Sequence, residues 1–495
     1  MSARVNLATL LDGMADAGAA APIEISGLSL DSRSVRAGEA FIALRGTQTH
    51  GLDFAAAAAA RGAAAILAEP LGAADTGAVP PTNLPTVYVS DLRERLGEIA
   101  ARFYDHPGAD LEIIGVTGTN GKTSIVQLLA QALTALDRRS ASIGTLGAGV
   151  HGALVSAART TPDAISVQAL LAAFRDDGVR DVAMEVSSHA LVQGRVNAVP
   201  FALAVFTNLT RDHLDYHGNM QAYGAAKAKL FAWPGLRVAV INDDDAFGRS
   251  LAAGLPAQVR ALRYGIASET AEVRASDVRR HSDGVDFMLH TPWGDAPVHS
   301  PLLGGFNVVN LLAVAACLGA LDCDLPALVR TLQGLAPVAG RMQRLGGGDW
   351  PVIVIDYAHT PDALTQALAS LREHARGKLI CVFGAGGDRD RGKRAPMGAA
   401  AEAGADIIIV TDDNPRSEDG DAIAVQILAG MAQPQHARVI RDRRQAMATA
   451  ISEARAGDIV LIAGKGHEAY QESHGEKRVF DDALVARELL QVRAC

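Results

Sequence analysis

Short apolar runs that end in polar or glycine-rich residues, each followed by a stretch of helical period, recur along most of the chain. The first hundred residues carry the β-type runs Ala40–Leu44, Ala64–Ala68 and Thr86–Val89 between helical stretches at Leu52–Arg61 and Asp91–Tyr104. The breaker cluster Asp105-His-Pro-Gly108 closes this small α/β unit, giving a first domain over 1–108. From 109 to 340 strand and helix alternate, with Val182–Val186, Phe201–Phe206 and Arg237–Ile241 apolar enough for the middle of a mostly parallel sheet. Between 271 and 300 the pattern turns to residue-by-residue alternation with turns at Ser282-Asp-Gly284 and Trp293-Gly-Asp295, which predicts an antiparallel excursion. The alternation restarts over 341–495 with Val352–Asp356, Leu379–Phe383, Asp406–Thr411 and Asp458–Ala463, a Rossmann-like third domain. Its Gly384-Ala-Gly-Gly-Asp388 loop is not a dinucleotide fingerprint. The expected architecture is therefore α/β in three domains.

One stretch changes this from a fold to a chemistry. Ile113-Ile-Gly-Val-Thr-Gly-Thr-Asn-Gly-Lys-Thr-Ser124 is an apolar strand entering a glycine-rich turn that ends in Gly-Lys-Thr, with a helical run from Ile125 behind it. Gly118, Thr119, Asn120 and Gly121 let backbone N–H groups close around phosphate oxygens, Lys122 reaches the β- and γ-phosphates, and the Thr123 hydroxyl suits Mg²⁺. Ser124 opens the helix whose positive end faces the same anion. The commoner form of the loop has glycine where this chain has Val116.

Bulk properties narrow the options. The 495 residues suit about three domains. A net charge of −9 argues against a general nucleic-acid binder, and the alanine-rich runs Ala55–Ala60 and Val308–Leu321 read as buried helices, not membrane spans. Cys317, Cys323, Cys381 and Cys495 have no metal-site spacing and read as reduced thiols of a cytoplasmic protein, and the N-terminus lacks a signal-peptide pattern.

Polar residues gather after the predicted strands. Glu185 and His213 follow strands of the phosphate-loop domain; from spacing alone they serve equally as metal ligands or as a helix-cap partner and a loop residue. Lys227 lies on a helical stretch beyond them, where most lysines face water; beside metal-binding groups a neutral amine could take up CO₂ as a carbamate. Arg341 and Asp356 flank the start of the third domain, as a phosphate and ribose pair or as an ion pair and a cap. In Asp412-Asp-Asn-Pro-Arg416 the Asn-Pro step throws Asp413, Asn414 and Arg416 above the sheet, offering acceptors for an ammonium and a bidentate donor for a carboxylate. Arg389 and Glu468 stand at neighbouring strand ends. Solvated surface charge is the plainer alternative for this set.

Gly118-Thr-Asn-Gly-Lys-Thr123, Glu185-Val-Ser-Ser-His189, Asp212-His-Leu-Asp-Tyr-His217, Asn307-x-x-Asn310, Arg341 and Asp356-Tyr-Ala-His-Thr-Pro361 together resemble the Mur ligase family, in order and spacing, over essentially the whole chain. That family uses the shorter phosphate loop. The resemblance implies an ATP-dependent amide-bond ligase in peptidoglycan precursor synthesis, working through an acyl phosphate. By the same resemblance Gly118 to Ser124, Asn307, Arg341 and Asp356 hold ATP, while Thr123, Glu185, His213 and carbamylated Lys227 hold Mg²⁺. Leu30, Ser32, Thr47, Gln48, Thr49, Thr160, Thr161, Ser187, Gln193 and Arg195 align with residues holding UDP-N-acetylmuramoyl-L-alanyl-D-glutamate. Arg159 departs from the family's asparagine and is not carried over. Arg389, Asp413, Asn414, Pro415, Arg416, Gly464 and Glu468 align with the pocket for the incoming amino acid. Arg416 favours meso-diaminopimelate over lysine, because only the former has a distal carboxylate. The expectation is a monomer with no nucleic-acid partner and no membrane insertion. Rival readings are a lysine-adding or folylpolyglutamate synthase-like ligase and, in another class, a nucleotide-binding switch protein.

Overall fold

The computed structural model describes residues 4–46, 48–72, 83–157 and 159–494, and these form two compact units, 1–262 and 263–495. Both are α/β.

The first unit opens with a four-stranded parallel sheet in the order Leu28–Ser29, Ala40–Ala43, Ala65–Ala68, Thr86–Tyr88. Helix Leu92–Phe103 covers it by burying Leu92, Leu96, Ile99 and Phe103, one stripe at helical spacing. The expected burial of Ala55–Ala60 needs correction: only Ala55 and Ala58 are sealed, because this short helix lies on the sheet by one edge. A second, larger sheet runs Val238–Asn242, Phe201–Phe206, Glu112–Thr117, Asp181–Glu185, Ser140–Gly144, all parallel, with Gly147–Val150 added antiparallel. Its central strands read as apolar runs because both faces are covered. Helix Lys122–Ala135 seals Ile125, Leu128, Leu129 and Leu133 against it. Truncating one such leucine to alanine typically costs about 2–5 kcal/mol.

In the second unit Val273–His281, Gly284–Thr291 and Gly294–Ser300 form the antiparallel excursion that the alternating pattern predicts. Helix Gly305–Ala320 is buried nearly all round. A six-stranded sheet follows in the order Gln343–Gly346, Val352–Asp356, Ile459–Ala463, Leu379–Phe383, Ile407–Val410, Ala437–Val439, parallel except for its first strand. His374 ties the excursion to this sheet's helices: Nδ1 donates to the His281 carbonyl at 2.6 Å and Nε2 accepts from Gly304 N–H at 2.9 Å. Arg280 pairs with Glu373 at 2.8 Å beside it. Those contacts explain why residues 263–340 pack as one body with the chain that follows.

Among the described residues no helix is long and apolar enough to cross a membrane. Cys317, Cys323 and Cys381 are in no disulfide among the described residues, and burial pushes Cys381 up to about 12.

Candidate active site

In the first unit the strand Glu112–Thr117 delivers the phosphate loop to the carboxyl edge of the larger sheet, where ligands of parallel α/β sheets gather. The loop is clamped by the segment after Phe201–Phe206. Thr119 N–H donates to Asn208 O at 2.8 Å, Asn120 N–H to Asn208 Oδ1 at 2.9 Å, and Thr207 Oγ1 to Asn120 O at 2.6 Å. Gly118, at φ +147°, has no alternative, since a Cβ there would lie 1.8 Å from Thr207 Oγ1. Lys122 folds over the loop and donates to the carbonyls of Gly118 and Thr119 at 2.9 and 2.8 Å. Thr123 and Ser124 follow in the first turn, both buried.

Lys227 arrives from helix Met220–Ala228. It is 1% exposed, donates to the Gly118 carbonyl at 2.7 Å and lies 4.4 Å from the Tyr223 ring centre. Burial, then the nearby Lys122 charge, pushes its ammonium down to about 6. Burial also raises the Tyr223 phenol to about 12, where its hydroxyl meets Thr119 Oγ1 at 3.2 Å.

Glu185 ends the strand beside the loop strand, in register with Val116. Its carboxylate is 1% exposed and accepts Thr145 N–H at 2.7 Å and Thr145 Oγ1–H at 3.2 Å. Among the described residues no lysine or arginine pairs with it. A sealed carboxylate held only by neutral donors fits a bound cation. The helix-cap alternative is excluded, because Ser187 caps helix Ser188–Val192 through Ala190 N–H. His213, left-handed at φ 52°, sets its ring edge-on to His189 with centres 4.8 Å apart. His189 starts that same helix, and burial followed by His213 and His217 lowers its pKa. Among the described residues no three His, Cys, Asp or Glu side chains converge as a ready metal cage.

A polar chain runs from Glu185 into the residues expected to hold a sugar nucleotide. Thr145 Oγ1 meets Thr160 Oγ1 at 3.1 Å, and Thr161 Oγ1 donates to Glu185 O at 2.9 Å and to Ser187 Oγ at 3.3 Å. Arg195 Nη1 donates to Thr161 O at 3.0 Å and its Nε to Gln193 Oε1 at 2.9 Å. Segment 159–163 then leads into a cleft of about 1250 Å³ lined by Leu30, Ser32 and Thr49 on one side and by Arg159, Asp163 and Leu170 on the other. Gln48 is exposed beside it, and Thr47 lies outside the described residues. Arg33 and the apolar wall of Phe41 and Phe54 are cleft residues that sequence reasoning missed, and Arg159, set aside there as a departure from the family pattern, lines the cleft as well. For Arg33 the only signal was its place in a polar loop beside Leu30 and Ser32.

The second unit holds the other expected sites. Asn307 donates to Leu303 O, just ahead of its helix, at 2.7 Å and accepts from Asn310 within the helix at 2.9 Å. Arg341 lies over the Tyr357 ring at 4.7 Å, with His467 on Tyr357 as well at 5.2 Å between centres. Asp356 accepts Met342 N–H at 2.7 Å and Ala358 N–H at 2.9 Å, while burial raises its pKa against those bonds.

Around the Asp413–Arg416 turn the expected amino-acid residues do come together. Asn414 Nδ2 donates to Glu468 Oε2 at 2.8 Å, and a side chain on Gly464, at φ +109°, would strike Asp413 Oδ2 at 2.5 Å. Arg416, left-handed at φ 53°, donates to Gly387 O at 2.7 Å. Arg389 and Arg416 both border Gly386, and the Pro415 carbonyl packs on Gly387. Lys465 was missed, although it stands inside Gly464-Lys-Gly-His-Glu468. Fully buried, it reaches Asn414 Oδ1 at 3.4 Å and Glu468 Oε2 at 3.5 Å and donates to the Tyr470 carbonyl.

A phosphate loop, a sealed carboxylate joined to a deep cleft, and a pocket of paired charges define an ATP-using ligase that joins an acid to an amine. Three family models match in sequence order: "Mur ligase family, catalytic domain" over 24–104, "Mur ligase middle domain" over 116–318, and "Mur ligase, glutamate ligase domain" over 340–466. The chain belongs to the Mur ligase family. It is 55% identical over 497 residues to the UDP-N-acetylmuramoyl-L-alanyl-D-glutamate–2,6-diaminopimelate ligase of Xanthomonas campestris pv. campestris strain 8004, covering 100% of this chain and 99% of that one. A solved structure of a ligase of the same name is 40% identical, with TM-score 0.75 and full coverage of both chains. The Mycobacterium tuberculosis folylpolyglutamate synthase complexed with ADP shares the fold at 21% identity and TM-score 0.61, over 76% of this chain and 93% of that one.

Proposed function

We propose that this enzyme joins 2,6-diaminopimelate, as the meso isomer, to the D-glutamyl carboxylate of UDP-N-acetylmuramoyl-L-alanyl-D-glutamate at the expense of ATP. The observation that carries this is the set of polar contacts that join Glu185, beside the phosphate loop, to Thr145, Thr160 and Thr161, the last two flanked in sequence by the cleft residues Arg159 and Pro162. A carboxylate entering from the cleft is led toward a bound γ-phosphate. Lys122 offsets phosphate charge, and the loop amides fix the phosphates for in-line attack. The carboxylate becomes an acyl phosphate, the amine attacks its carbonyl carbon, and inorganic phosphate leaves from the tetrahedral intermediate.

Thr123, Glu185, His213 and Lys227 would hold Mg²⁺. When bound, the metal neutralises charge building on the transferring phosphoryl group. Lys227 acts as a carbamate: its amine bonds to CO₂ with loss of a proton, placing an anion against the loop. The neutral amine this needs is favoured by burial beside Lys122. Asn307, Arg341 and Asp356 serve the nucleotide. Leu30, Ser32, Thr47 to Thr49, Thr160, Thr161, Ser187, Gln193 and Arg195 serve the UDP-sugar peptide. Arg389, Asp413 to Arg416, Gly464 and Glu468 serve the amino acid. The working protein is a cytoplasmic monomer of three functional domains, 1–108, 109–340 and 341–495.

Phosphate release from ATP, measured with the UDP-muramoyl-dipeptide and each amino acid in turn, tests the reading. Release is expected with diaminopimelate and not with lysine. Release that needs no amino acid would overturn it.

A further inference from the structure

The hairpin Tyr470–Ser473 and Glu476–Val479 is bound to the Asp413–Arg416 turn by its backbone. Glu472 N–H donates to Asn414 Oδ1 at 2.8 Å, Arg416 N–H donates to Glu472 O at 3.0 Å, and His474 N–H donates to Arg416 O at 2.6 Å. Gln471 adds a bond to Asp413 O at 3.0 Å. These bonds fix where the Glu472 side chain begins, and its Oε2 lies 3.7 Å from Arg416 Nε. At that distance the contact is an ion pair without a hydrogen bond. The two side chains are 24% and 19% exposed, shielded yet within reach of a small ligand.

The pocket's other glutamate differs. Glu468 accepts from Asn414 and has Lys465 as its own cation at 3.5 Å. Among the described residues the Glu472 carboxylate has Arg416 alone.

A loosely paired arginine and glutamate present a positive and a negative group side by side. The far end of 2,6-diaminopimelate presents the reverse, a carboxylate and an ammonium on one carbon. Building on the amino acid assigned above, we propose that Glu472 is a second specificity residue, receiving the distal ammonium while Arg416 receives the distal carboxylate. The pair then rejects both half-analogues. A distal carboxylate with no ammonium must pull Arg416 from Glu472 and leave two carboxylates together. A distal ammonium with no carboxylate meets an arginine that Glu472 already occupies.

The test is steady-state KM of the full-length enzyme, with ATP and the UDP-muramoyl-dipeptide, for meso-diaminopimelate and for 2-aminopimelate, which lacks the distal amine. Glu472→Gln keeps the shape and all the backbone bonds. It should raise KM for diaminopimelate about tenfold or more, leave KM for 2-aminopimelate unchanged or lower, and leave KM for ATP unchanged. Glu472→Asp, which keeps the charge on a shorter arm, should fall between. Equal changes in both amino-acid KM values, or none, would overturn the role of Glu472. Failure of the unmutated enzyme to use diaminopimelate would instead overturn the substrate assignment beneath it.

Discussion

Lys227 and Lys465 are both sealed, at 1% and 0% exposure, and their neighbours separate them. Lys227 faces a backbone carbonyl, an aromatic ring and a second lysine, so little opposes the desolvation that pushes it down to about 6. Lys465 is lowered by burial too, but Asp413 and Glu468 act against that effect. On the proposed reading one site favours a neutral amine for chemistry, and the other ties a turn to a hairpin. Burial alone does not make a lysine reactive; the absence of a carboxylate partner does.

The largest expected effect breaks the two lysines apart. Lys227→Ala should lower kcat by about 10³-fold, as removal of a central electrostatic group does, and short carboxylic acids should restore part of the activity by occupying the carbamate's place. Lys465→Met leaves the partly exposed Glu468 without its neighbouring cation, and should lower Tm and raise KM for the amino acid with no response to added carboxylate. Rescue of both variants, or of neither, would remove the distinction.

The two sites also differ in how far the sequence disclosed them. Gly118 to Ser124 are contiguous, and a loop between strand and helix announces phosphate binding locally. Lys465 finds its partners at Asn414 and Tyr470, on either side of it in sequence, and they meet only once the parallel sheet sets the strand ends side by side. The cleft behaves likewise: Phe41 and Phe54 face Val155 and Arg159 across a hundred residues of chain, and no local pattern encodes that wall. The strand and helix alternation, by contrast, was legible almost throughout, because burial on both faces writes continuous apolar runs. Where a helix is sealed at only two positions, as at Ala55–Ala60, composition overstated its burial.

Arg416→Ala probes the second unit's pocket directly. Loss of the guanidinium opposite a distal carboxylate should raise KM for diaminopimelate about 100-fold while KM for ATP stays put. A matching rise in both would mean that Arg416 supports the fold instead, through its bond to Gly387 O.

The pH dependence sharpens the Lys227 side. Its folded pKa near 6 lies below the value of about 10.4 for an unfolded lysine. Between those limits the unfolded chain holds one more proton, so stability rises with pH across the window and this contribution is flat below it. In buffer free of CO₂, nucleotide and metal, wild type should gain about 1.4 kcal/mol per pH unit relative to Lys227→Met between pH ~6.5 and ~8.5. Parallel curves would mean that burial does not depress the lysine's pKa.

The smallest effect concerns the donors that hold Glu185. Thr145 supplies both an N–H and an O–H to a carboxylate that, among the described residues, no lysine or arginine pairs with. Thr145→Val keeps the volume and the N–H, and removes the hydroxyl's bonds to Glu185 and Thr160, each worth about 1 kcal/mol. If that carboxylate works on Mg²⁺, the missing donor leaves it less fixed but more strongly attracting. The KM for Mg²⁺ should then fall or hold while kcat drops only a few-fold, about as much as one such bond supplies. If Glu185 merely braces the strand end, the same variant should lower Tm and leave the Mg²⁺ dependence untouched. A magnesium titration of kcat beside a melting curve separates the two, and at this site it asks of a buried acid what the lysine pair asks of buried bases.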